Sequence, residues 1–111
     1  MGDRALTYPG ARRAYADQRA EDRDEVHFRA RAFGPDARAL SPVIVNLSPH
    51  GLMARCEGAF AAGDRLRVTL PVVGVVVAEI RWALGGRIGC QFEQGIDRAS
   101  YYELLSSVMR R

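Results

Sequence analysis

Val43-Ile44-Val45-Asn46-Leu47-Ser48-Pro49-His50-Gly51 is the stretch on which the fold turns. Its β-branched beginning reads as a strand. Ser48-Pro49-His50-Gly51 has the chemistry of a tight turn, with Pro49 pre-setting φ at the second position and Gly51 closing the fourth. A strand that stops so abruptly presents Asn46 and Ser48 beside the bend. Asn46 offers an amide donor and acceptor, Ser48 a hydroxyl, and Gly51 a point of close backbone approach free of Cβ. Together they make a small polar socket suited to a planar, hydrogen-bonding guest.

Outward from this stretch the apolar pattern repeats with period two. Upstream, Val26, Phe28, Ala30 and Ala32 alternate with His27, Arg29 and Arg31, a strand with one buried face, followed by a Gly34-Pro35-Asp36 turn. Downstream, Leu52, Ala54 and Cys56 alternate with Met53, Arg55 and Glu57, and Leu66, Val68 and Leu70 with Arg65, Arg67 and Thr69. Pro71 and Gly74 mark a bend. From Val75 to Trp82, simple alternation puts Val76, Ala78, Ile80 and Trp82 inward, leaving Val75 and Val77 outward as a patch for a partner. Gly85-Gly86 is a hairpin turn, and Arg87 to Phe92 the last strand. Trp82 and Phe92 are expected as core aromatics. Asp97, or Ser100 through Ser100-x-x-Glu103, caps a closing helix with a Tyr101, Leu104, Leu105, Val108 stripe, and Arg110 and Arg111 suit its negative end.

These runs predict an all-β fold: a six-stranded antiparallel β-barrel with a C-terminal helix and a flexible N-terminal arm. The expected organisation is an arm over residues 1–18 and one domain over 19–111, which a chain of 111 residues accommodates once.

Composition excludes several functions. A formal charge of +3 is far from the dense basic stripe of a dedicated nucleic-acid binder, so no nucleic-acid partner is expected, and Arg29, Arg31, Arg65 and Arg67 lack interleaved aromatics. All 16 basic residues are arginine, so their number says less than their placement. No run of membrane-spanning length or leader pattern occurs, which predicts a cytoplasmic protein with no membrane insertion. Cys56 and Cys90 are too few for a disulfide framework and read as buried thiols, and no spacing suggests a metal. His27 and His50 have no positioned nucleophile or carboxylate beside them, and no nucleophile elbow or phosphate-cradling glycine pattern is present. The sequence shows no enzyme and no cofactor.

Gln18-Arg19-Ala20-Glu21-Asp22-Arg23 supplies two guanidiniums four residues apart, ahead of the first strand. A guanidinium fork matches both a phosphate and the O6/N7 edge of guanine. Arg-x-x-x-Arg followed by Asn-x-Ser-x-x-Gly resembles the PilZ family, receptors for the bacterial messenger cyclic di-GMP. Gly63-Asp64, Ile80-Arg81-Trp82 and Gly89-Cys90-Gln91-Phe92 extend the resemblance from about Arg19 to Phe92. The resemblance implies that Arg19 and Arg23 grip guanine edges and phosphates, that Asn46 and Ser48 bond a guanine, and that Gly51 keeps the turn tight. It implies a barrel with a C-terminal helix, cyclic di-GMP as ligand and an unidentified protein partner, with an arm that becomes ordered on binding. Asn46 stands where many members have Asp, and Glu21, Asp22, Asp24 and Glu25 crowd the arginines. The competing expectation is therefore an adaptor of the same fold, with a lapsed nucleotide site, that binds its partner through Val75 and Val77.

Overall fold

The computed structural model describes residues 23–109. Among these residues eight strands precede one helix: β1 (Asp24–Arg29), β2 (Arg31–Phe33), β3 (Ala39–Leu40), β4 (Val43–Ser48), β5 (Gly51–Arg55), β6 (Arg65–Leu70), β7 (Gly74–Leu84), β8 (Arg87–Phe92) and α1 (Arg98–Met109). The expected arm over 1–18, Arg19, and the helix-end pair Arg110 and Arg111 lie outside the described residues.

The strands form one antiparallel sheet in the order β1-β4-β5-β8-β7-β6-β2-β3. The expected six runs are all present, but the first is divided at Ala30 and a two-residue strand, β3, is added. Ala30 leaves both ladders and donates its N–H to the carbonyl of Pro42, 2.9 Å away. Before it the segment pairs with β4, and after it with β6 and β3. One continuous segment thus joins both ends of the strand order, which curls the sheet into a barrel-like shape.

The interior is filled by the alternating apolar residues, with Ile44, Leu47, Leu66, Leu70, Ile80, Ile88 and Leu104 almost fully buried. Phe92 is among the buried residues, as its period predicts; Trp82 is not, being 44% exposed. Helix α1 buries Tyr101, Leu104 and Val108 and packs on β1. Its cap is Asp97: the carboxylate accepts the Ser100 N–H at 3.2 Å and the carbonyl accepts the Tyr101 N–H at 2.9 Å.

Three register shifts interrupt the ladders, between Glu25 and Phe28, between Ile44 and Asn46, and between Ile80 and Trp82. Such bulges re-aim side chains. At Val45 the extra residue lets Ile44 and Leu47 both face inward while Asn46 faces out. At Arg81 it keeps Ile80 in the core and sends Trp82 to the outer surface.

Candidate functional site

The second and third bulges build one surface. Glu25 pairs with Asn46, Asn46 with Met53, Met53 with Gly89, and Gly89 with Trp82, a row running across five strands on the outer face. Ser48 pairs with Gly51 and Gly51 with Gln91, two residues further along the same face. Asp24 pairs with Leu47, so the antiparallel register carries Arg23 alongside Ser48. The result is an open cleft of about 250 Å³ whose lining includes Arg23, Asn46, Ser48, Gly51, Arg81, Trp82 and Gln91. Of the five residues singled out by sequence, four share this cleft; Arg19 lies outside the described residues.

Each has a distinct local setting. Arg23 is exposed and, among the described residues, forms no ion pair. Ser48 is buried and its Oγ accepts the His50 N–H at 3.2 Å, stiffening the turn while leaving its own proton to donate. Gly51 lies against β8 so closely that a Cβ would overlap the carbonyl oxygen of Cys90. Its bare Cα therefore admits the neighbouring strand, where sequence reasoning had it admitting a guest. Two further backbone bonds hold the turn to the segment leading into α1: Phe92 N–H to the His50 carbonyl and Ile96 N–H to the Pro49 carbonyl, both 2.8 Å.

Trp82, Gly89, Arg81 and Gln91 were missed. A Cβ on Gly89 would overlap Nε1 and Cε2 of Trp82 and stand 2.8 Å from Cζ2, so the indole lies directly on the Gly89 backbone. Arg81, the bulge residue, donates from Nη1 to Oε1 of Gln91 at 3.0 Å, forming a polar edge beside the ring. A signal for this was present. Counting back from the two-residue Gly85-Gly86 turn pairs Leu84 with Arg87 and Trp82 with Gly89, on the face that carries the charged Arg87. That register conflicts with the period through Ile80, and a bulge is what reconciles them.

Of the acids around the arginine motif, Glu21 and Asp22 lie outside the described residues, and the two that are described, Asp24 and Glu25, take different settings. Asp24, 77 residues from Tyr101 in sequence, accepts the Tyr101 hydroxyl at 2.6 Å. Burial, then this hydrogen bond, raises the Tyr101 phenol above its ordinary range, so it remains a donor at neutral pH. Glu25 is exposed in the row beside Asn46. A neighbouring cleft between this motif and the helix is lined by Arg23, Asp24, His50, Arg98, Tyr101 and Tyr102, among others.

Elsewhere, burial pushes the Cys90 thiol up to about 12 and raises that of Cys56, leaving both as inert neutral thiols. Among the described residues no cluster of three or more His, Cys, Asp or Glu could hold a metal, and no helix is long and apolar enough to cross a membrane. On the basic face, Arg65 pairs with Glu93 at 2.7 Å and Arg29 donates to the Ser41 carbonyl. Phe33, 45% exposed opposite Arg67, is an aromatic that sequence reading did not place there. One ring falls short of a succession of stacking platforms. At the β6–β7 turn Val72 takes φ of 70°, and Val73 N–H reaches the Pro71 carbonyl at 2.6 Å, the geometry of a strained γ-turn. Val72 and Val75 are well exposed there, while Val77 is half-buried.

Comparison with known proteins bears on these features. One family, the PilZ domain, matches residues 17–110. A crystal structure of the PilZ domain of CeSA from a cellulose synthesizing bacterium superimposes with a TM-score of 0.58 at 14% identity, covering 81% of this chain and 97% of that one. At that identity the likeness shows the fold alone. No curated protein matches.

Proposed function

Because the chain belongs to the PilZ domain family, whose members are generally cyclic di-GMP-binding modules, we propose that its outer-face cleft receives cyclic di-GMP and that it acts as a receptor and adaptor, not a catalyst. The observation that carries this is the convergence on one cleft of Arg23 from the start of β1, Asn46 and Ser48 from β4, and Trp82 from β7. In this reading the Arg23 fork takes a guanine O6/N7 edge or a phosphate, and Asn46 and the free proton of Ser48 bond a guanine edge. Gly51 holds the turn against β8. Trp82, lying on Gly89, offers its outer ring face to a purine, a contact worth roughly 1–3 kcal/mol.

The cleft is smaller than the roughly 300–1,000 Å³ that encloses a drug-sized ligand. A cyclic dinucleotide needs a second wall, and in this reading the segment before Arg23, which carries Arg19, supplies it. Binding then orders the arm of residues 1–18 against the domain from 19 onward, and the changed surface is what a protein partner reads. Two free thiols accord with a reducing cytoplasm as its place of work.

A titration tests this: cyclic di-GMP against wild type and against Arg19→Ala/Arg23→Ala, followed by calorimetry, with GMP as control. Each good bidentate guanine contact contributes roughly 1–3 kcal/mol, so the double variant should lose well over tenfold in affinity. The strained, exposed Val72 beside Val75 favours a second reading, an adaptor that binds its partner there regardless of nucleotide. No heat from wild type at high micromolar ligand, with partner binding intact, selects that reading.

A further inference from the structure

We propose that Tyr101 is a positioning residue for the ligand cleft: its hydroxyl, by holding Asp24, sets where Arg23 points and ties the nucleotide grip to helix α1. The inference rests on the receptor reading above.

Asp24 is the first residue of β1, and the ladder to β4 begins with its pairing to Leu47. Arg23 is one residue outside that ladder. The direction of its side chain therefore depends on how the Asp24 backbone is held, and a 2.6 Å hydrogen bond to a carboxylate is of the strong, charge-assisted kind. The donor end is stiff, because Tyr101 is only 4% exposed and shares its buried helical stripe with Leu104 and Val108.

The same bond has an electrostatic effect of the same sign. A carboxylate released from Tyr101 sits next in sequence to Arg23 and competes with a phosphate or guanine for that guanidinium. Engaged by the phenol, it is turned toward α1. The segment leading into the helix is tied to the other half of the grip as well, through the Ile96 N–H on the Pro49 carbonyl at 2.8 Å. Arginine side and socket side thus both report to one helix.

Calorimetric titration of cyclic di-GMP is run on wild type, Tyr101→Phe, Asp24→Ala and the double variant. Tyr101→Phe should weaken binding about fivefold or more in the wild-type background. It should change nothing once Asp24 is alanine, because a residue acting through another has no effect after that other is removed. Equal losses in both backgrounds, or no loss in either, overturn the proposal. A second measurement uses wild type alone: saturating ligand should slow amide exchange over residues 98–102, by reciprocity of coupling. Unchanged exchange there overturns it too. If wild type gives no heat, the receptor reading itself fails and this inference with it; if wild type binds but the variants lack the stated pattern, only this inference fails.

Discussion

Gly51→Ala offers the most direct check on how the socket is built. A Cβ at this position would overlap the Cys90 carbonyl oxygen and lie 3.3 Å from its carbon and 3.4 Å from Gln91 Cα, all backbone atoms that cannot rotate away. Relief requires β5 and β8 to part by about 1 Å at the Gly51–Gln91 pair, given ordinary contact near 3.5–4.0 Å. Overpacking of that kind costs about 1–3 kcal/mol. The adjoining bond from Phe92 N–H to the His50 carbonyl, 2.8 Å long, stretches with it, a further loss of about 1 kcal/mol. The sum, about 2–4 kcal/mol, predicts a thermal midpoint lower by about 10–25 °C for a domain of this size. Gly85→Ala is the comparison: φ there is +62° with nothing within 4 Å of a Cβ, so only the left-handed conformation is penalised, by about 1–2 kcal/mol. Gly85→Asn should recover most of that loss. Thermal unfolding followed by circular dichroism ranks the three. A Gly51→Ala midpoint within about 2 °C of wild type, or above that of Gly85→Ala, refutes the steric account.

Trp82→Ala should weaken cyclic di-GMP binding about tenfold with little change in midpoint, since the ring is a surface platform; a large stability loss with unchanged affinity would return Trp82 to the core. Gly89→Val should displace the indole from its seat and quench or shift its fluorescence, and an unaltered emission spectrum counts against the stacking on Gly89. The Ser100 hydroxyl and nearby backbone N–H groups hold the Asp97 carboxyl below its ordinary value. A depressed folded-state value means the cap's contribution is complete above the unfolded carboxylate pKa and fades as pH falls through the folded one. The gap in midpoint between wild type and Asp97→Ala should therefore be wider at about pH 7 than at about pH 3; a gap independent of pH excludes a charge-dependent cap. Amides of residues 10–25 should exchange more slowly with ligand than without, and equal rates would remove arm ordering from the mechanism.

Tyr101 and Trp82 show how differently a residue of a candidate site can be hidden. Tyr101 was legible as a member of the helical stripe, and it is buried there as expected. Its hydroxyl partner was not, because nothing local to residue 101 points to residue 24. Trp82 was placed in the core by the period through Val76, Ala78 and Ile80, and the bulge at Arg81 reversed it.

By itself the chain determined the six apolar runs, the Ser48–Gly51 and Gly85-Gly86 turns, the closing helix and the candidacy of Arg23, Asn46, Ser48 and Gly51, because alternation, turn chemistry and capping are local and are written within a few residues. Tertiary structure alone decided the face on which Asn46 and Trp82 emerge, the overlap of Gly51 with β8, and the union of residues 24 and 101. A bulge moves a side chain across the sheet for the cost of one unpaired residue, and its position is set by which strand must fit against which, a condition that no single stretch of sequence contains.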